Sequence, residues 1–396
     1  MWVRKRIDLS WVDLNYALMH CGLPANSHRE EIQANWSSSG DSMVCLSVRS
    51  GLDLLLQSLK LPPGSEVLMS ALTIEGMIRV VREHGLVPVP VDVDIDTLSP
   101  RLDSLERAIT PRSRLLIVAH LFGGRVNLNP IRQLADAHNL MLVEDCAQAF
   151  DGAPNGQLPV ADCSLYSFGP IKTSTALGGA MVHCQDRQLI GRMRELESQY
   201  PEQSRWSYLQ RVLKYGALMG ISNRWAFTIM TRSFQRAGKD YDHFLRKVVR
   251  GFREEGFLER LRKRPSKPLL SLLQRRIDRF DEPRMTKHSR RGAWLTEQLP
   301  DSIVCPGYAS SRNNYWVFPI MVDDPGPLVD RLRQSGFDAM QYGSMVAVPA
   351  PAGRPELEPD TARHILAKTV FLPLYHQMPR ASLLRMAHLL NSLLAE

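Results

Sequence analysis

The sequence holds little that would tie it to a metal, a membrane span or a disulfide scaffold. Its six cysteines, at 21, 45, 146, 163, 184 and 305, are spread over 396 residues. None forms a Cys-x-x-Cys pair and no His-Glu-x-x-His occurs, so zinc sites of the common spacings are excluded and no metal is expected. Cys45, Cys146 and Cys163 lie in strand-like segments, and the cysteines read as reduced, partly buried thiols of a cytoplasmic protein. The cleanest apolar run, within Leu115–Gly123, is roughly half the length of a membrane helix. Met1–Trp11 carries Arg4, Lys5, Arg6 and Asp8 with no apolar core behind them, which does not fit a secretory signal. Internal repeats and low-complexity tracts are also absent, which excludes solenoid and disordered classes.

What is present is ordinary for a globular enzyme: 44% hydrophobic and 23% charged residues. The length exceeds what one core usually fills, so two domains are expected. Charge is uneven. Pro201–Arg291 holds 23 Lys+Arg against 9 Asp+Glu, a balance of +14 that contains the whole basic excess of a chain at +8. Such a segment reads as a solvated helical face, a lid, or a surface for an anionic membrane or phosphorylated substrate. No nucleic-acid reading motif accompanies it.

Four segments emerge. Residues 1–40 form an N-terminal arm of weak periodicity. In 41–195 short apolar runs alternate with helical patterns. The runs are Met43–Val48, Glu66–Ser70, Val87–Val93, Leu115–Phe122, Leu140–Cys146, Cys163–Phe168 and Ala180–His183. The helices are Leu52–Leu59, Glu75–Glu83, Leu102–Ala108 and Ile131–His138. This alternation predicts an α/β fold, a mostly parallel sheet sandwiched by helices. Residues 196–285 read as a basic helical insertion, with Phe244, Leu245, Val248, Val249 and Phe252 at helical spacing. In that insertion Trp206 and Trp225 are expected in the core. Residues 286–396 read as a smaller α+β domain, with a strand at Trp316–Val322 and helices at Pro327–Ser335 and Ala381–Leu393.

In a parallel sheet, ligands bind at the carboxyl ends of strands. Two clusters stand there: Glu144-Asp145-Cys146-Ala147-Gln148, and Ser167-Phe168-Gly169-Pro170-Ile171-Lys172. A lysine forms a Schiff base with an aldehyde cofactor, and a carboxylate keeps a pyridine nitrogen protonated, so the pair suits pyridoxal phosphate. Taken alone, Lys172 reads first as a surface lysine and Asp145 as a helix cap.

The order and spacing of these pieces, with Ser50-Gly51, Ala119-His120-Leu121-Phe122-Gly123 and Leu372-Pro373-Leu374-Tyr375, resemble the DegT/DnrJ/EryC1/StrS family of pyridoxal-phosphate-dependent aminotransferases, which have fold type I. The resemblance implies a pyridoxal 5'-phosphate cofactor bound to Lys172, with Lys172 also shuttling protons and Asp145 facing the pyridine nitrogen. Gln148 would sit beside the ring. Ser167 and the amides of Gly51 and Leu52 would hold the phosphate. Ile74 would pack on the ring where relatives carry an aromatic residue. His120 and Arg49 read equally as site or structural residues, and Tyr342 and Tyr375 as substrate-facing or buried. The family's asparagine that reaches the partner's phosphate is missing; Ser266 or Lys267 stands near its place. The implied function is transfer of an amino group, with glutamate as the expected donor, to a keto or aldehyde carbon of a sugar-like or lipid-linked biosynthetic intermediate, by a cytoplasmic homodimer, with a peripheral place at the membrane as a further reading of the basic insertion. The alternatives are another reaction of the same cofactor, or a cofactor-binding sensor or scaffold without turnover.

Overall fold

A computed structural model describes residues 1–23, 28–152, 159–238, 241, 242, 244, 256–341 and 343–394. Tyr342 and most of the periodic segment from Phe244 to Phe252 lie outside them. The central sheet has seven strands: β1 (Ser42–Cys45), β2 (Glu66–Ser70), β4 (Val87–Val91), β5 (Ser113–Ala119), β7 (Met141–Asp145), β8 (Cys163–Ser167) and β9 (Ala180–Cys184). Two short strands, β3 (Leu72–Ile74) and β6 (Gly124–Arg125), leave it for other partners. The spatial order is β1-β9-β8-β7-β5-β2-β4, and β9 alone runs against the rest. This is the mostly parallel sheet of fold type I.

The strands read as unbroken apolar runs because both faces are covered. Successive residues feed opposite layers. Val67, Met69, Leu115, Ile117 and Leu165 face α3 (Val48–Leu59), α4 (Glu75–Glu83) and α7 (Arg187–Ser198). Leu68, Leu116, Val118 and Leu142 face α5 (Leu102–Ala108) and α6 (Asn129–Ala137). Helix α3 starts where the Ser47 hydroxyl accepts from the Ser50 amide. It lies close on the sheet at Gly51, where a Cβ would stand 2.7 Å from Val182. A methyl group there would cost about 1–3 kcal/mol of overpacking.

The cysteine expectation needs correction. Cys163 and Cys184 are joined by a disulfide; Cys21, Cys45, Cys146 and Cys305 are free. The cause is register: β8 and β9 pair antiparallel with these two residues directly opposite, Cα atoms 4.1 Å apart.

The arm is more structured than its weak periodicity implies. It contains α1 (Trp11–Gly22), which opens with a Ser10–Asp13 capping box, and α2 (Arg29–Trp36). Ahead of them, Trp2 bridges Phe337 and packs into a second core with Phe318, Ile320, Leu383 and Leu390. That core lies under the antiparallel strand pair Phe318–Met321 and Thr369–Leu372. Arg4 fixes the arm through two bonds to Asp338, at 2.8 and 2.7 Å.

The basic segment is mostly helical where described, with α8 (Arg205–Ile221), α9 (Arg224–Arg236) and further helices at Phe257–Leu261 and Lys267–Asp278. Tyr208, Val212 and Tyr215 turn inward, α9 sends Phe227 into the second core, and Trp206 and Trp225 are 62% and 78% exposed. Their expected burial is therefore corrected: each lies on the helix side opposite the packed residues. No described helix is long and apolar enough to cross a membrane.

Candidate active site

Strands β7 and β8 are parallel neighbours with Asp145 opposite Leu165, so Asp145 and, two residues further on, Ser167 both stand at the carboxyl edge of the sheet. Beyond Ser167 the chain turns back, the Lys172 amide donating to the Gly169 carbonyl at 3.0 Å. The turn is held by the Thr175 hydroxyl, 2.7 Å from the Gly169 carbonyl, and the Ser174 hydroxyl, 2.7 Å from the Arg276 carbonyl. The Lys172 amine lies 4.1 Å from the Trp316 ring centroid. Burial pushes it down to about 8; Asp145 works against the shift and Arg49 with it. Burial raises the Asp145 carboxyl, which the Ala147 amide (2.9 Å) and Lys172 oppose. The loop carrying Trp316 comes this close because residue 123 is glycine, at φ 106°: a Cβ there would meet the Trp316 amide nitrogen at 2.6 Å.

Gln148 also reaches the site. Its Oε1 accepts from the Phe122 amide at 2.9 Å, and its amide nitrogen lies 3.9 Å from the Met345 sulfur. Met345 pairs with Ile74 across an antiparallel ribbon, so these two side chains share one face of that ribbon. The phosphate end differs from the expected arrangement. The Gly51 amide donates to the Ser47 carbonyl at 2.9 Å and Leu52 is fully buried in α3. Cations gather there instead. Arg49 lies over Gly76, and burial together with Arg211 lowers it to about 10. Arg211 bonds the Leu177 carbonyl at 3.1 Å, just past the lysine loop. Ser266 is fully buried and bonded to Gln203 at 3.0 Å, which removes it from any subunit boundary.

His120 is structural. The Val126 amide donates to its Nδ1 at 3.0 Å, so the proton sits on Nε2, which donates to Glu144 at 2.8 Å. The Ser164 hydroxyl adds a bond to Glu144 at 2.5 Å. Burial opposes ionisation of Glu144, but these donors and nearby Arg125 hold it at about 2. His120, Glu144 and Cys146 place possible ligand atoms within 4.8 Å of one another. Each is already engaged, and Arg125 stands 3.2 Å from the Cys146 sulfur, a cation where a metal ion would sit.

Sequence reasoning missed Lys5 and Trp316. Lys5 Nζ lies 3.9 Å from the same indole and donates to the Trp316 carbonyl at 2.5 Å. The only signal was the basic Arg4-Lys5-Arg6 run, with no pattern to say where the arm docks. Tyr375 is buried and lines the same cavity as Lys5 and Lys172.

Pyridoxal phosphate fits this donor set. The Lys172 amine is biased toward its neutral, nucleophilic form and has no hydrogen-bond acceptor among the described residues. Asp145 takes a single described hydrogen bond, which leaves one oxygen for a pyridinium N–H. The phosphate end offers the Ser167 hydroxyl and two guanidinium groups.

Residues 26–224 match the model of the DegT/DnrJ/EryC1/StrS aminotransferase family. The UDP-N-acetyl-3-dehydro-alpha-D-glucosamine 3-aminotransferase of Acidithiobacillus ferrooxidans is 35% identical over 168 residues, 42% of this chain and 46% of that protein. GDP-perosamine synthase of Caulobacter vibrioides is 32% identical over 174 residues, 43% and 46% of the two. The chain thus spans just under half the length of these curated relatives. Among solved structures, the aminotransferase TlmJ from Streptoalloteichus hindustanus superposes with a TM-score of 0.71 at 20% identity, over 100% of this chain and 99% of that one. A DegT DnrJ EryC1 StrS aminotransferase from Brucella abortus gives 0.69 at 17%, over 97% and 96%. At these identities the likeness speaks for the fold. With half the chain matched by the family model, and with a lysine and an aspartate at the ends of adjacent parallel strands, the protein belongs to the DegT/DnrJ/EryC1/StrS aminotransferase family.

Proposed function

We propose that the protein is a pyridoxal-phosphate-dependent aminotransferase that moves an amino group from an amino acid, glutamate for choice, to the keto carbon of a nucleotide-linked sugar. The observation that carries this is the buried Lys172 amine, which feels the Asp145 charge and lines a cavity. The named relatives act on, or make, nucleotide-linked amino sugars. When bound, the cofactor supplies an electron sink for the bonds around the amino-bearing carbon. Lys172 holds it and, once released, moves a proton as a neutral amine near pH 8. Asp145 keeps the ring nitrogen protonated, Gln148 and Ile74 orient the ring, and Ser167, Arg49 and Arg211 hold the phosphate.

The experiment is spectroscopic. Protein incubated with pyridoxal phosphate gains the visible absorption of covalently held cofactor, and glutamate converts it to the absorption of the amine form. Lys172→Ala loses the covalent band. A covalent band that no amino donor changes overturns the transferase reading in favour of a binding protein.

Two finer features belong to the proposal. The enzyme works as a homodimer, checked by sedimentation. It also rests on anionic bilayers through α8 and α9. Arg205–Arg236 has six basic residues and no acidic one, with Trp206, Leu213, Trp225 and Ile229 exposed between them. A second copy laid on this face would set like charges together. Binding to anionic vesicles that weakens with salt is expected; equal recovery from neutral and anionic vesicles sinks the idea.

A further inference from the structure

The cavity beside Lys172 is walled on one side by the N-terminal arm, through Lys5, Arg6 and Asp8. Of the residues assigned to the cofactor, Lys172 lines it and Asp145, Gln148 and Ser167 do not, so it opens on the lysine side of the site. Its charges do not balance from within. Asp8 is the one carboxylate in the described lining, and it is committed to Arg284, at 2.6 and 3.1 Å, and to the Ser174 amide at 2.7 Å. That leaves two lysine amines, Lys5 and Lys172, against one indole, at 3.9 and 4.1 Å from its centroid. Burial and the Lys172 charge push Lys5 well below its ordinary value against the pull of Asp8, and an oxyanion beside it would oppose that shift.

Three residues of the lining each carry a buried polar atom without a partner among the described residues: Arg6 Nε, His288 Nδ1 and Asn314 Oδ1. Their roles are fixed by what their other atoms do. Asn314 donates through its amide nitrogen to the Phe150 carbonyl at 3.0 Å, so its Oδ1 is an acceptor. His288 Nε2 faces the Tyr315 carbonyl at 3.2 Å and so carries the proton, which makes Nδ1 an acceptor too. Arg6 Nε is a donor. Buried groups of this kind are normally satisfied. With Lys5 and Arg6 as the cations of the lining and Asp8 already paired, the cavity suits a ligand that brings an oxyanion.

We propose that Lys5 and Arg6 of the N-terminal arm form an oxyanion subsite, which binds a carboxylate or phosphate of the reacting substrate and selects anionic substrates for Lys172. This rests on the aminotransferase reading. The site is completed only when the arm is docked by Trp2 and Arg4 on the second core, so the far end of the chain builds part of the pocket.

The test uses the cofactor-loaded protein and two probes, 2-oxoglutarate for a carboxylate and UDP for a phosphate, titrated calorimetrically into wild type, Lys5→Gln and Lys5→Arg. Lys5→Gln is expected to weaken at least one probe by about ten-fold to a hundred-fold, the usual scale of a charge-assisted hydrogen bond, and Lys5→Arg to restore most of it. Loss confined to 2-oxoglutarate assigns the subsite to the donor's carboxylate, loss confined to UDP to the acceptor's phosphate, and loss of both to an oxyanion pocket used in each half-reaction. Equal affinities in Lys5→Gln and wild type, or no binding of either probe to wild type, overturn the proposal. Cofactor uptake at Lys172 is followed in every variant by its visible absorption. Failure of that uptake in wild type would instead count against the aminotransferase reading. Lys5→Met keeps the stem over Trp316 and replaces Lys5→Gln if that variant does not fold.

Discussion

Glu144 and Asp145 are adjacent on one strand, both carboxylates, and they meet opposite surroundings. Strand alternation sends their side chains to different faces. Glu144 goes inward to His120, Ser164 and Arg125 and is held at about 2. Asp145 goes to the site edge, takes one described hydrogen bond from Ala147, and is raised by burial. The first is saturated by its own chain and works as a strut. The second is left under-satisfied beside a lysine biased toward neutrality. A carboxylate whose partners are missing from its own chain is the one that marks a ligand.

The sharpest way to break that contrast is Asp145→Asn. The amide keeps the shape but not the charge opposite the ring nitrogen. Turnover is expected to fall by about 10²–10³-fold, the scale of a lost electrostatic catalytic contact, with the melting temperature little changed. Steady-state kinetics beside a thermal melt checks both halves. Near-native turnover would put Asp145 among the structural residues with Glu144.

Much of this was legible in the sequence, for a physical reason. Strands buried on both faces read as unbroken apolar runs, so Glu66–Ser70 and the helices Glu75–Glu83 and Leu102–Ala108 were expected at the bounds observed. Lys172 and Asp145 were visible as polar residues just past such runs. What could not be read depends on residues far apart in the chain. Cys163 meets Cys184 only once β8 and β9 set their register. Gly51 looks like a phosphate glycine until α3 is laid on the sheet and its missing Cβ is needed by Val182. Lys5 is an ordinary basic residue until Trp2 docks on Phe337 and brings it to Trp316. Trp206 and Trp225 show the reverse failure, since their type suggests burial and their place on α8 and α9 does not.

The smaller effect tests the other half of the contrast. Glu144→Gln should leave cofactor uptake at Lys172 intact and act on stability. The Glu144 carboxyl sits at about 2 in the folded chain against an ordinary value of 4.5, so its ionised form is favoured by folding. The sign follows: the contribution is fully present above about pH 4.5 and is lost as pH falls toward 2, and it amounts to something on the order of 3 kcal/mol. Glu144→Gln therefore loses that amount near pH 7, read by urea unfolding, and the gap between variant and wild type narrows between pH 5 and pH 3. A gap that stays constant from pH 6 to pH 3 would assign the cost to shape rather than charge, and Glu144 would no longer stand as the saturated partner of Asp145.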